Sequence, residues 1–285
     1  MAPRPEVQHD NSGVQASVKV IVAALQMVSV NDLAVNLRRA ELLVAQAAAR
    51  GAKLAVLPEN FALFGSSDIK EVAAREAAEA PLQVFLSDLA SRYKLILVGG
   101  TIPLPAEDGR VYACSLVFAA DGSCVGSYRK IHLFDADVAD GHGRYQESDT
   151  YAPGSAVTVV DTSIGRLGLA VCYDLRFPEL FRAMLDLELD IITLPSAFTR
   201  STGWAHWLPL LRARAIENQC LIVAANQGGV HDPKRETSGG SVIIDSWGRV
   251  LAEAGLGEAC VSAEYDAEAQ AAVRRLMPVA QHRRI

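Results

Sequence analysis

The chain has 285 residues, with 27 Lys and Arg against 33 Asp and Glu, a net charge of -6 and a hydrophobic share of 50%. That balance excludes a disordered chain and a general nucleic-acid binder, because phosphate contacts need clustered cations and the basic residues here are scattered. The apolar run Val20 to Leu25 stops at Gln26, far short of the roughly 20 residues that cross a bilayer, so no membrane anchor is expected.

The first 17 residues carry Glu6 and Asp10 and lack an apolar stretch. They read as a disordered tail rather than a secretory or transit peptide, leaving residues 18–285 as one domain. VKVIVAALQM is the first strand. Leu33, Leu37, Ala40, Val44 and Ala47 then recur at helical spacing, with Asn31 or Asp32 as cap and Gly51 as stop. KLAVLP is a short strand, followed by a loop, a helix from about Pro81 to Tyr93 and the strand LILVGGTI. VYACSLVFAADGSCVGSYRK reads as a hairpin in which Asp121-Gly122 supplies positive φ angles. A polar loop from about His132 to Pro153 leads to a second hairpin, AVTVVDTSIGRLGLAVC, with Gly165 near its turn, and a helix opens near Arg176–Glu179. IITLPSA, a helix from about Trp204 to Asn218, LIVAANQG, SVIIDSWG and VLAEAG complete the series. Strands with hairpins among them fit an α/β fold built as a four-layer αββα sandwich better than a doubly wound open sheet, which needs strict βαβ alternation. No glycine-rich dinucleotide or triphosphate motif appears.

Five cysteines, an odd number without C-x-x-C spacing, indicate neither a disulfide framework nor a zinc knuckle, and a reducing cytoplasm is the expected compartment. Cys172 stands where a buried strand gives way to a helix. There a turn presents the side chain at the sheet edge, and following N–H groups and the helix dipole are expected to lower the thiol pKa; a small buried hydrophobe is the alternative. Glu59, the first acid after an apolar strand, can be a general base with a pKa raised by partial burial, or a solvated surface charge. Lys130 can donate to an oxyanion or merely snorkel at a strand end. His132 keeps open a papain-like Cys–His thiol hydrolase, and a non-enzymatic scaffold is a third reading. Glu147, in the polar loop, can orient an amine or substrate. The histidines lack paired-ligand spacing, so no metal site is expected. Trp204, His206 and Trp207 read as packing or pocket wall.

LPEN, YRKIH and GLAVCYDLRFPEL, in this order, resemble the three signature segments of the nitrilase-related carbon-nitrogen hydrolase superfamily, and the resemblance runs from about Val18 to the end. It implies the αββα fold, Glu59 as general base, Lys130 as oxyanion-stabilising amine, Cys172 as nucleophile and Glu147 as the second glutamate, with His132 a bystander. It also implies amide hydrolysis through a thioester with no metal or organic cofactor, an oxyanion contact from the Tyr173 N–H, and a homodimer or larger assembly. PSAFTRSTGWAHWLPLLRARAIENQC, HDPKR and LMPVAQHRR resemble the branch of amidases acting on 2-oxo acid amides such as deaminated glutathione, a pattern that omega-amidases share. The substrate is therefore expected to be a small anionic amide. Arg176 is assigned to its 2-oxo acid carboxylate, with a structural ion pair to Glu179 or another acid as the alternative. Phe198 and Thr199 are assigned to the pocket wall, and Arg200, Lys234 and Arg235 to a remote carboxylate. FALFGSSD and FDADVADGHGRY match less well and both can line the pocket.

Overall fold

Side chains alternate in destination along the early strands, and that alternation sets the layers. In β1 (Lys19–Gln26), Val22 and Ala24 enter one core while Ala23 and Leu25 enter another, as the two-residue period of a strand requires. β2 (Ala52–Val56) and β3 (Ile96–Val98) repeat the division, with Leu54, Val56, Ile96 and Val98 on one side and Ala55 and Leu97 on the other. The second core is closed by α1 (Leu33–Ala49) and α3 (Pro81–Tyr93) through Leu43, Val44, Leu86 and Leu89, while α2 (Ile69–Glu79) packs beside them. The structure is a computed structural model that describes residues 19–65 and 68–284; the expected tail, residues 1–17, lies outside the described residues.

The first sheet continues with β4 (Ile102–Pro105), β5 (Val111–Phe118), β6 (Cys124–Arg129) and β17 (Ala259–Asp266), in the order β17-β1-β2-β3-β5-β4, with β6 on β5. Two short hairpins stand apart, β7 (Asp135–Asp137) with β8 (Arg144–Gln146) and β13 (Val230–Asp232) with β14 (Arg235–Glu236). The second sheet holds β9 (Val159–Thr162), β10 (Gly165–Leu169), β11 (Ile191–Ser196), β12 (Leu221–Asn226), β15 (Val242–Ile244) and β16 (Val250–Glu253), in the order β16-β15-β12-β11-β10-β9. Its outer face carries α4 (Pro178–Leu185) and α5 (Arg200–Asn218) through Phe181, Met184, Trp207 and Leu211. The fold is thus an αββα sandwich. α6 (Ala267–Leu276) and α7 (Val279–His282) follow β17. The strands β1-β2-β3 and β10-β11-β12 are parallel sets, and a bridge between Met27 and Gln227 joins the two sheets beyond their carboxyl ends.

Several elements differ from the sequence expectation. The loop after KLAVLP contains α2, whose Ala, Glu and Lys content favours a helix although only Ala73 and Glu76 are buried, so it shows no broad apolar stripe. LILVGGTI divides into β3 and β4 because Gly100, at φ 56, passes so close to Pro58 that a Cβ would lie 2.2 Å from its carbonyl oxygen. At the β5–β6 turn only Gly122 has positive φ, 91; Ala119 and Ser123 close the loop through a 2.8 Å backbone hydrogen bond, while Asp121 accepts from Ser123. The polar loop holds β7, β8 and a 3-10 turn at Glu147–Asp149, α5 begins at Arg200, and β17 pairs along the whole of β1.

Candidate active site

Three segments from separate strand ends converge beyond the carboxyl edge of the sheets. After β2, the Leu57 N–H still donates to Val98, and the chain then turns at Asn60, which has φ 56. The Asn60 N–H donates to Thr101 Oγ1 at 2.9 Å, and the Glu59 carbonyl accepts from Gln227 Nε2 at 2.9 Å, so Glu59 is pinned from both sheets. Lys130 follows β6 and is held by its N–H to Ala113 and its carbonyl to Gly154. Cys172 opens a 3-10 turn, Cys172–Arg176, with φ 48, a left-handed conformation that costs a non-glycine residue about 1–3 kcal/mol and persists only where its surroundings enforce it.

The side chains meet in a buried polar cluster. Lys130 Nζ lies 2.8 Å from Glu59 Oε1 and 2.8 Å from each carboxylate oxygen of Glu147. Glu147 also accepts from the Phe134 N–H at 2.6 Å. Cys172 lines the same cavity as these three side chains, beside Ala197. With Lys130 2% exposed and Glu59 6% exposed, removing either partner would strand a charge out of water, which is far more costly than breaking a surface pair.

These contacts decide the protonation states. Burial works to lower the Lys130 pKa, but Glu147, Glu59 and Cys172 together raise it well above its ordinary value, so the ammonium stays charged. Burial also pushes the Glu147 carboxyl up, against the pull of Lys130. For Cys172 the expectation is overturned. Burial first, and the Glu59 charge second, push the thiol well above its usual range, while Lys130 and the Ala197 N–H only oppose them. The turn is too short to act as a helix dipole. The resting form is a thiol, with the Glu59 carboxyl close enough to raise its pKa.

The cluster forms the floor of a cavity of about 370 Å³, a size suited to a small molecule, lined also by Phe64, Lys70, Tyr145, Tyr151, Thr199 and Arg235. Tyr173, Arg176 and Phe198 line a small adjoining void that shares Cys172 and Thr199. Arg176 is not paired with Glu179; its guanidinium lies 3.2 Å from His206 Nδ1 and over the rings of Tyr173 and Phe198, at 5.7 and 5.5 Å. Two expected binding residues stand apart: Arg200 is paired with Glu236 at 2.6 Å and lies over Trp204, and the exposed Lys234 does not line the cavity. His132 Nδ1 lies 2.7 Å from Asp174 Oδ1 and its ring stacks on Phe177, so it is engaged outside the cavity. Trp207 is buried and donates to Gly240, whereas Trp204 is 64% exposed. The sequence reading missed Lys70 and Tyr151, which carry no local signal, and Asp174, an acid inside the otherwise apolar GLAVCYDL, which does.

Among the described residues, no group of His, Cys, Asp and Glu is arranged to hold a metal, and no helix is long and apolar enough to cross a membrane. Residues 21–275 match the carbon-nitrogen hydrolase family. The chain is 41% identical to the deaminated glutathione amidase of Yersinia enterocolitica over 92% of each chain. It is 38% identical to an omega-amidase of Saccharomyces cerevisiae over 94% of each. The crystal structure of the C. elegans NitFhit protein superposes with a TM-score of 0.87 at 36% identity, covering 95% of this chain and 66% of that one.

Proposed function

The chain belongs to the carbon-nitrogen hydrolase family, and from that premise we propose that it hydrolyses deaminated glutathione to 2-oxoglutarate and cysteinylglycine, a metabolite-repair reaction. The observation that carries this reading is the buried Glu59–Lys130–Glu147–Cys172 cluster at the cavity floor. In the proposed mechanism the Cys172 sulfur attacks the amide carbon as the thiol proton passes to Glu59. The oxyanion develops against Lys130 Nζ and the Tyr173 N–H. Glu59 returns the proton to the departing amine as the C–N bond breaks, leaving a thioester. A water then attacks that carbon, giving its proton to Glu59, and the proton ends on the Cys172 sulfur as the acid leaves. Glu147 holds the ammonium in place. No metal or organic cofactor enters these steps.

Arg176 is assigned to the 2-oxo acid carboxylate, within a wall of Tyr173, Phe198 and Thr199, and Arg235 to the remote carboxylate at the mouth. Arg200 and Lys234 lose that assignment to their positions outside the cavity. Five unpaired cysteines support a cytoplasmic, reducing setting. Residues 18–285 are read as a single domain. Exposed large apolar side chains, among them Ile216, Trp247 and Leu251, support a homodimer or larger assembly. The test is a side-by-side assay on deaminated glutathione, 2-oxoglutaramate, simple nitriles and N-carbamoyl amino acids. Deaminated glutathione should exceed 2-oxoglutaramate in kcat/KM by about tenfold or more, because the remote portion adds binding energy. Equal or inverted preference would favour the second reading, an omega-amidase releasing ammonia, which the Saccharomyces relative supports.

A further inference from the structure

We propose that Asp174 is a positioning residue that sets the placement of Lys130 relative to Cys172; the inference rests on the roles proposed for those two residues. Lys130 follows a strand of the first sheet and Cys172 follows a strand of the second, so no single backbone element fixes their separation. The Asp174 side chain is fully buried and does not line the cavity. Its Oδ1 accepts from the His132 N–H at 3.0 Å and faces His132 Nδ1 at 2.7 Å, while its Oδ2 accepts from the Tyr128 hydroxyl and the Val171 N–H, both at 2.8 Å.

These partners explain the connection. Tyr128 and His132 flank Lys130 two residues to either side, and the Tyr128 hydroxyl also accepts from the Ile131 N–H at 3.3 Å. Val171 immediately precedes Cys172. One carboxylate therefore joins the Lys130 segment to the turn that carries the sulfur. A carboxylate is acceptor-only and suits four donors; an amide presents hydrogens to half of them. The far end of the same turn is anchored separately, where Arg214 donates to the Leu175 carbonyl at 2.8 and 3.2 Å. Asp174 thus controls the near end, where the reaction occurs.

The test is a double-mutant cycle read as the rate at which acyl-Cys172 accumulates in single turnover, followed by intact-mass spectrometry. Asp174→Asn should lower that rate by roughly thirtyfold with little change in KM, since a misplacement of about 1 Å costs on the order of a hundredfold. In a Lys130→Ala background the same substitution should cost less than about twofold, because the group it positions is gone. Equal losses in both backgrounds would overturn the coupling, as would a wild-type acylation rate in Asp174→Asn. A Lys130→Ala enzyme with wild-type acylation would instead overturn the role of Lys130, a distinguishable failure. If Asp174→Asn does not fold, Tyr128→Phe takes its place in the cycle. It removes one donor and no charge, and should show a smaller loss, about threefold, that likewise vanishes without Lys130; an undiminished loss there overturns the proposal.

Discussion

The floor and the rim of the cavity are built on opposite principles. The floor is closed by buried charges and by side-chain hydrogen bonds reaching from both sheets, including the Gln227 donation to the Glu59 carbonyl and the Asp174 contacts around Lys130. The rim is formed by hairpin tips whose ties are partly exposed, among them Tyr145 to Asp140 at 3.0 Å and Arg235 to Asp232 at 3.7 Å. Desolvated contacts hold a geometry rigidly because breaking them strands a charge, whereas exposed pairs are screened and individually weak. Rate should therefore reside in the floor and the choice among amides in the rim. Substitutions that separate rate from preference test that division.

The largest effect is expected from Cys172→Ala, which should abolish hydrolysis while leaving the thermal unfolding transition nearly in place, since attack needs the sulfur and one small side chain contributes little packing. Retained turnover would remove Cys172 from the mechanism. Lys130→Ala should follow, with a loss of several hundredfold in kcat, or about 3–4 kcal/mol, the worth of an oxyanion donor in a water-excluded site. His132→Ala should cost clearly less, because His132 reaches the chemistry only through Asp174; the reverse ranking would restore the Cys–His reading. Glu59→Gln should slow turnover and shift the pH dependence of sulfur reactivity downward. Burial and the Glu59 charge both raise the Cys172 pKa, so neutralising Glu59 removes one upward cause. Alkylation measured at the Cys172 peptide should accordingly reach its midpoint at lower pH than in the wild type, and an unchanged or higher midpoint contradicts the geometry.

Legibility in the sequence follows the same division. α1 and α3 are readable because their burial is periodic and their starts carry a cap or a proline, and the first strand because it is a short continuous apolar run buried on both faces. Glu59, Lys130 and Cys172 each stand just past a strand, Glu59 and Cys172 at the end of an apolar run and Lys130 at the end of a polar one, and the structure brings all three together. The polarity of their surroundings is not readable. A thiol after a strand suggests anion-stabilising N–H groups, yet the sign of its pKa shift is set by burial and by Glu59, 113 positions away. The rim is legible only as polar loop. Whether Arg200, Lys234 or Arg235 turns inward depends on local partners, Glu236 for the first and the Gly65 backbone for the last, and no period or motif encodes those choices.

The smallest predicted effect distinguishes two neighbouring cations at the rim. Arg235 lines the cavity and packs against Gly65, where a Cβ would lie 2.8 Å from its Nη1. Lys234 is exposed, and its carbonyl, not its ammonium, faces Gly141 across the hairpins. A remote carboxylate can therefore meet Arg235 without displacing an occupied partner other than the 3.7 Å contact to Asp232. Arg235→Ala should lower kcat/KM for deaminated glutathione by about tenfold, the value of one charge-assisted contact, through KM more than kcat. It should leave 2-oxoglutaramate, which has no remote carboxylate, within about twofold. Lys234→Ala should change either substrate by less than about twofold at 0.15 M salt, since only a screened long-range attraction is lost. Gly65→Ala, by crowding the Arg235 guanidinium, should reproduce part of the Arg235→Ala loss on the larger amide alone. Equal losses on both amides would mean that the rim acts on the floor, and the division between rate and preference would fail.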